Sequence, residues 1–391
     1  MTTSPDPLVV AIHASPVRVV LVATGGGSQA ISRLLEVGGA SRTVLEAVVP
    51  YSAAAMDDWL RARPEHYCTP QTARAMAMAA FERARGLASD ANAGELAGVG
   101  CTASLASDRP KRGAHRVHVA VQSARFTETW SVALSAAGRT RAEEERIAGE
   151  LALRAVAEAC GVACGDERVE ALLQRDERLA SRRTDAPRQW TELLLGERDC
   201  ASGHVGREGE AATDSPRSAV RVVFPGAFNP RHVGHRQMAA VAARRTGQTV
   251  AHEISLLNVD KPPLDFTDLA ERAAQFDSSE PLWITRAATF REKADIFGGA
   301  TFVVGADTIE RIAEPRYYGG SESARDAAVA HLAERGCRFL VFGRAVGERF
   351  ESLSDLALPP ALATLCEEVP ASEFRADVSS TEIRRRVESP F

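Results

Sequence analysis

From residue 219 onward, short apolar runs alternate with stretches of helical period, and this alternation restricts the fold more than any other feature. "AVRVVF" leads through a loop to the helical "HRQMAAVAARRTG". "VAHEISLL" precedes the loop "NVDKPPLDF" and the helical "TDLAERAAQF". "LWIT", "TFREKADIF", "TFVVGAD" and "RFLVFGR" continue the pattern. Continuous apolar strands between helices predict a parallel sheet covered on both faces, a doubly wound, Rossmann-like α/β fold. Such sheets bind ligands beyond the carboxyl ends of their strands.

The first half reads as a second α/β domain. "VRVVLVATGGG" is a strand entering a glycine turn, "TVLEAVVPYS", "AGVGCTAS" and "HRVHVAVQS" are further strands, and "TPQTARAMAMAAFERARGL" and "RTRAEEERIAGELALRAVAEAC" are helices. Between Gly196 and Ser218 the composition turns to Gly, Ser, Ala and charge without apolar period, which is a linker signature. The predicted division is 8–170 for the first domain, 171–218 for a helical extension and linker, and 219–391 for the second.

A net charge of −5 argues against non-specific nucleic-acid binding. Seven scattered cysteines, an odd number in a long chain, do not suggest a disulfide framework. Cys160 and Cys164 lack a second pair at zinc spacing and read as small core residues. No leader pattern and no apolar run of membrane-spanning length is present, so a cytoplasmic location is expected. Basic residues are almost all arginine; the lysines are Lys111, Lys261 and Lys293.

The stretch "FPGAFNPRHVGH", residues 224–235, falls where the first strand of the second sheet meets its helix. A helix N-terminus offers unpaired N–H groups and positive potential, and so suits an anion. Gly226 lets backbone approach a ligand, and His232 and His235 share a helix face with Gly234 between them. Three readings stand: a metal pair, two imidazoles that cap a helix, or a phosphate clamp. A metal needs further ligands at helpful spacing, and none is nearby. The strand-end position favours the clamp.

"GAFNPRHVGH" resembles the HxGH signature of the nucleotidyltransferase superfamily. "VSSTEIRRR" resembles the ISSTxxR segment of its nicotinamide/nicotinate mononucleotide adenylyltransferases, and "VVGADTIERI" and "FLVFGRAVG" resemble intervening segments in the same order. The resemblance implies in-line attack of an acceptor phosphate on the α-phosphorus of ATP, with pyrophosphate leaving and Mg²⁺ bridging phosphate oxygens. It assigns His232, His235 and Arg384 to catalysis. Gly226, Ala227, Phe228, Asn229, Gly234, Gly305, Asp307, Ser379, Ser380 and Thr381 are assigned to the nucleotide. Ser379 and Glu382 also have capping-box spacing. Lys261, Trp283 and Thr285 are assigned to the acceptor, a pyridine mononucleotide; Trp283 as plain core and Lys261 as a plain loop lysine remain open. No protein ligand for the magnesium is expected. CTP in place of ATP, another phosphorylated acceptor, or a nucleotide-binding sensor or scaffold without turnover are the alternatives.

The first half is similar to the competence/damage-inducible family, whose active members are nicotinamide-nucleotide amidohydrolases. The segments are "VATGGGSQAISRLLEVGGAS", "EAVVPYS", "TARAMAMAAFERAR" and "GVGCTAS". Where that family reads E-S-C-T-G-G, this chain has Leu21, Val22, Ala23, Thr24, Gly25 and Gly26, and Met56 stands at the family's lysine position. Its T-G-I-A-G-P segment is replaced by Val99 to Ser104. Valine and methionine cannot act as nucleophile or base, so this domain is expected to keep the fold, lack amidase activity and serve as an oligomerisation or regulatory module.

Overall fold

Each half of the chain builds its own sheet from the apolar runs. The computed structural model describes residues 4–108, 113–135, 138–204, 220–346 and 349–375. Two units result: Met1–Thr191 with Asp260–Leu269, and Glu192–Val259 with Ala270–Phe391.

In the first unit, β1 (Arg18–Thr24), β2 (Val44–Val48), β3 (Leu96–Ser104), β4 (His115–Ser123), β5 (Phe126–Leu134) and β6 (Leu179–Asp185) form a sheet of order β2-β1-β3-β4-β5-β6. β1 is parallel to β2 and β3, and the remaining pairings are antiparallel. Gly98 and Gly100 bring the helix Pro70–Leu87 hard onto β3. A Cβ at these positions would lie 2.1 Å from the Ala77 carbonyl oxygen and 2.5 Å from that of Ala73. Helix Arg141–Ala159 buries Ile147, Leu151 and Val156 in the same core as Leu21, Val99, Val119 and Trp130.

In the second unit, β7 (Cys200–Ser202), β8 (Val222–Pro225), β9 (Val250–Ser255), β10 (Leu282–Thr285), β11 (Thr301–Gly305) and β12 (Arg338–Phe342) precede the hairpin of β13 (Arg344–Val346) and β14 (Arg349–Glu351). β15 (Cys366–Val369) follows. The main sheet has the order β15-β12-β11-β8-β9-β10-β7, parallel throughout except for β7 on β10. The chain moves from β8 outward to β9 and β10, then returns to β11 on the other side of β8. The direction of winding therefore reverses between β8 and β11, where the crevice of such a sheet opens.

The linker expectation for 171–218 needs correction. Leu179–Asp185 is an edge strand held by β5 over its full length, with Leu179 facing Val132 and Asp185 facing Phe126. The stretch is expected to be helical extension and linker, but it contains an exposed edge strand, where charge is at home. Cys200–Ser202 belongs to the second sheet, and its partner is β10. Residues 205–219 lie outside the described residues. No helix among the described residues is long and apolar enough to cross a membrane.

The segment Asp260–Leu269 belongs to the first unit, although the sequence reading counted it with the second domain. Arg74, 5% exposed, pairs with both oxygens of the equally buried Asp265 at 3.0–3.1 Å, and with Asp268 at 2.5 Å. The Phe266 N–H donates to Thr127 Oγ1 at 3.0 Å, and Thr184 and Thr267 share a hydrogen bond. Removing one member of a buried pair leaves an uncompensated charge and costs about 3–5 kcal/mol. Arg74→Leu is therefore expected to lower the denaturant midpoint of the first unit by an amount of that order. A midpoint equal to the parent's contradicts this account of the segment's anchoring.

Candidate functional site: the crevice at the ends of β8 and β11

β8 ends at Pro225, and the loop 226–232 carries the chain to helix Val233–Thr246, whose N-cap is His232. The loop is built around a buried ring. Phe228 is 1% exposed, packs edge-on to Phe224 at 5.4 Å and to Phe276 at 5.1 Å, and holds φ at +44°. A left-handed backbone is unusual for an aromatic residue and persists only where the surroundings determine it. A Cβ on Gly226 would stand 2.7 Å from the Phe228 ring, so glycine is required there by contact.

His232 and His235 stack with ring centroids 3.8 Å apart and planes 24° apart. The His232 backbone N–H donates to His235 Nδ1 at 3.2 Å. That bond fixes the tautomer: a neutral His235 with an accepting Nδ1 carries its proton on Nε2, which is then a donor. Burial, followed by the charges of His232, Arg231 and His252, pushes His235 down to about 3. Burial also lowers His232. Both rings are therefore neutral donors near pH 7.

The β11 end lies beside this loop in the sheet order. Gly305 is the N-cap of helix Ala306–Ala313, and Asp307 sits in its first turn, 3.8 Å from Arg311. Two helix N-termini thus follow the two strands that flank the reversal. Among the described residues no group of three or more His, Cys, Asp and Glu could hold a metal ion.

Residues 223–386 match the cytidylyltransferase-like family. This part of the chain is a nucleotidyltransferase domain.

Among solved structures, the competence/damage-inducible protein CihA of Agrobacterium tumefaciens is similar at 21% identity, covering 44% of this chain and 99% of its own, with a TM-score of 0.31. A competence-damaged protein (CinA) superfamily protein of Escherichia coli shares 16% identity over 41% of this chain and 91% of its own, at a TM-score of 0.28. A competence or damage-inducible protein of Enterobacter asburiae shares 18% over 42% and 96%, at 0.30. The search of curated proteins gave no match.

Within the nucleotidyltransferase domain, Gly226, Ala227, Phe228, Asn229, His232, Gly234 and His235 lie on one loop and the helix turn after it. Gly305 and Asp307 lie at the end of the adjacent strand. Ser379, Ser380, Thr381 and Arg384 fall outside the described residues. Two of the expected acceptor residues lie on the buried strand β10. Trp283 is 8% exposed and packs on Phe297 in the core. Thr285 is fully buried and donates to Glu253 Oε1 at 2.5 Å. The same carboxylate takes Lys293 Nζ at 2.8 Å on both oxygens, so a lysine that looked incidental closes a buried ion pair. Lys261 is exposed in the segment that belongs to the first unit. β10 is buried at every position, and neither its Trp nor its Thr is available to a ligand.

The residues that hold the loop carry no signal of their own in the sequence. Arg231 pairs with Glu280 at 2.5 Å, lies 4.4 Å over the Phe276 ring and draws Glu280 down to about 2. His252, opposite Phe224 on β9, is 3% exposed, and neither of its ring nitrogens has a partner among the described residues. Burial, then the Arg231 charge, lowers it to about 4.

The glycine turn of the first unit differs from this loop in what occupies it. Gly25 and Gly27 are left-handed, and a Cβ on Gly25 would meet the Ala103 carbonyl oxygen at 1.9 Å. The Gly27 and Gln29 N–H groups donate to the Glu145 carboxylate at 2.9 and 3.1 Å, and Ser28 Oγ donates at 2.8 Å. A carboxylate of the chain itself occupies the donors a phosphate would use. Val22 is fully buried in β1 and Met56 is 2% exposed. Cys101 is buried, and burial raises its thiol far above the usual range.

The imidazoles give the stability of the second unit a definite pH dependence. His235 and His252 titrate lower in the folded chain than their ordinary value of about 6.5. Between that value and about 4, the unfolded chain binds more protons, so stability is lost as pH falls through this window. Denaturant midpoints measured from pH 7.5 to pH 4 are expected to fall, and His252→Leu to flatten the decline. A His252→Leu slope as steep as the parent's contradicts the assignment.

Proposed function

We propose that the nucleotidyltransferase domain transfers the adenylyl group of ATP to a phosphate-bearing acceptor, nicotinamide or nicotinate mononucleotide, with release of pyrophosphate. One observation carries the reading: two stacked, neutral imidazoles head a helix at the winding reversal, beside a second helix N-terminus. This arrangement offers directional N–H donors to a polyphosphate. The acceptor phosphate oxygen forms the new bond to the α-phosphorus as the bond to the bridging oxygen of pyrophosphate breaks. His232 and His235 donate hydrogen bonds to the phosphates and meet the negative charge that grows on the leaving group. Their burial also means that an arriving polyphosphate raises their proton affinity, so the charge of the clamp follows that of its ligand. Mg²⁺ belongs with the triphosphate, whose oxygens suit a hard cation; it supplies charge neutralisation there. The choice of ATP and of a pyridine mononucleotide rests on the "VSSTEIRRR" resemblance and on the N-terminal likeness to nicotinamide-nucleotide amidohydrolases. CTP is the second reading, favoured by the family description.

Pyrophosphate release is to be measured with ATP or CTP against a panel of phosphate monoesters that includes both mononucleotides. Release with ATP and a pyridine mononucleotide is expected, and release with CTP alone overturns the choice of nucleotide. His232→Ala is expected to lower kcat by about 100-fold or more, as the loss of a charge-stabilising donor does in other enzymes. Turnover close to the parent's removes the imidazole from this role.

We propose further that the first unit has no amidase activity. Position 22 carries no hydroxyl and position 56 no amine, and Glu145 fills the glycine turn. The intact protein should release no ammonia from nicotinamide mononucleotide above the uncatalysed rate. Appreciable release that survives purification to homogeneity sinks the proposal.

A further inference from the structure

The loop that bears the imidazoles takes much of its shape from a residue more than forty positions away. Gly226 N–H donates to the Glu253 carbonyl at 2.9 Å, which ties the start of the loop to β9. Beyond that point residues 272–275 supply several partners. Arg272 Nη1 donates to the Ala227 carbonyl at 3.1 Å. Gln275 Nε2 donates to the Phe228 carbonyl at 2.8 Å, and Gln275 Oε1 accepts from the Arg231 N–H at 2.7 Å. The Gln275 backbone carbonyl also accepts from Arg231 Nη1 at 3.1 Å. One carboxamide thus bridges the two ends of the turn 228–231, on either side of the left-handed Phe228 and immediately before His232. Its orientation is unambiguous, since only its oxygen can meet an N–H and only its nitrogen a carbonyl. A third bond, Nε2 to the Arg272 carbonyl at 3.3 Å, fixes the side chain from its own end.

We propose that Gln275 is a positioning residue for nucleotidyl transfer: it sets the separation of the loop's two ends and so the place from which His232 and His235 meet the triphosphate. It touches neither reactant. It acts through the backbone of Phe228 and Arg231, and the partly buried Arg231–Glu280 pair keeps that second anchor in register. Glutamine suits the task because it donates and accepts at once. A carboxylate or a hydrocarbon of the same length can make one of the two bonds or neither. Small displacements of such a loop are costly to rate, because reacting groups must be held within a fraction of an ångström.

This inference rests on the transferase reading above, and the experiment separates the two. Gln275→Met keeps the length and removes both side-chain bonds, whereas Gln275→Glu keeps acceptance from Arg231 and loses donation to Phe228. In the full-length protein, Gln275→Met is expected to lose about tenfold or more in kcat/KM for the nucleoside triphosphate, with the KM of the acceptor within twofold. Gln275→Glu is expected to lose turnover as well. A defect of folding alone would reduce the active fraction and leave KM unmoved. If kcat and the triphosphate KM of Gln275→Met both stay within twofold of the parent, the proposal is wrong. Amide hydrogen exchange over residues 226–235 gives a readout independent of turnover. The Arg231 N–H of the parent should be protected, and the protection should vanish in Gln275→Met. Fast exchange in the parent overturns the clamp even if the variant does not fold, and unchanged exchange in a folded variant does the same. A parent that makes no product from any triphosphate and acceptor, yet shows the protection, fails the transferase reading and leaves the clamp standing.

Discussion

A parallel sheet that winds outward in one direction and then returns to its first strand leaves two helix N-termini side by side. Here those strands are β8 and β11, and everything about the candidate site depends on their adjacency. The backbone groups at the start of each following helix have no partner within it, so both crevice walls present donors. The loop after β8 adds two imidazoles to this geometry, and the direct passage from β11 into its helix adds Gly305 and Asp307. No separate pocket has to be invented; the topology makes the place, and the side chains make it selective for anions.

The two units use the same resource in opposite ways. In each, a parallel strand runs into a glycine-bearing turn and then a helix. In the first unit the donors at that turn already hold a carboxylate, Glu145, from helix Arg141–Ala159. In the second, the His232 N–H donates to an imidazole of the same helix turn. A carboxylate at the N-terminus of a helix satisfies the dipole and repels a second anion. An imidazole leaves that potential uncompensated. The contrast gives a physical basis for assigning phosphate chemistry to one unit and not the other, separate from the missing serine and lysine.

Much of this was legible in the sequence because apolar runs with a helical stretch between them have few alternatives. The glycines and histidines of 224–235 were legible for the same reason, since their place at a strand end follows from the alternation. What could not be read depends on partners distant along the chain. β6 lies in the stretch expected to be helical extension and linker, and its charged, exposed residues show no strand until β5 is known to lie beside it. Trp283 and Thr285 sit on a strand buried on both faces, where the two-residue period that would show direction is absent. The segment 260–269 is drawn into the first unit by the pair of Asp265 with Arg74, a partner almost two hundred positions earlier in the chain. Gln275, in the turn after an unremarkable amphipathic helix, has no signature at all; its meaning lies in the backbone it touches.

The charges around the loop explain why its shape matters so much. Arg231 is adjacent to the imidazoles, yet its guanidinium is committed to Glu280 and to the Gln275 carbonyl. Burial keeps His232 and His235 uncharged near neutrality. Of these three basic side chains, then, none offers an uncommitted cation to an approaching polyphosphate. What these three residues and the two helix N-termini bring to it is therefore a set of oriented dipoles, the Nε2–H of His235 among them. Fields of this kind fall off within about one helix turn and depend strongly on direction, unlike those of a lysine on a flexible stem. A site built from dipoles therefore tolerates less displacement than a site built from charges. That intolerance accounts for a buried phenylalanine in a left-handed conformation, a glycine fixed by contact with its ring, and a carboxamide that spans both ends of the turn.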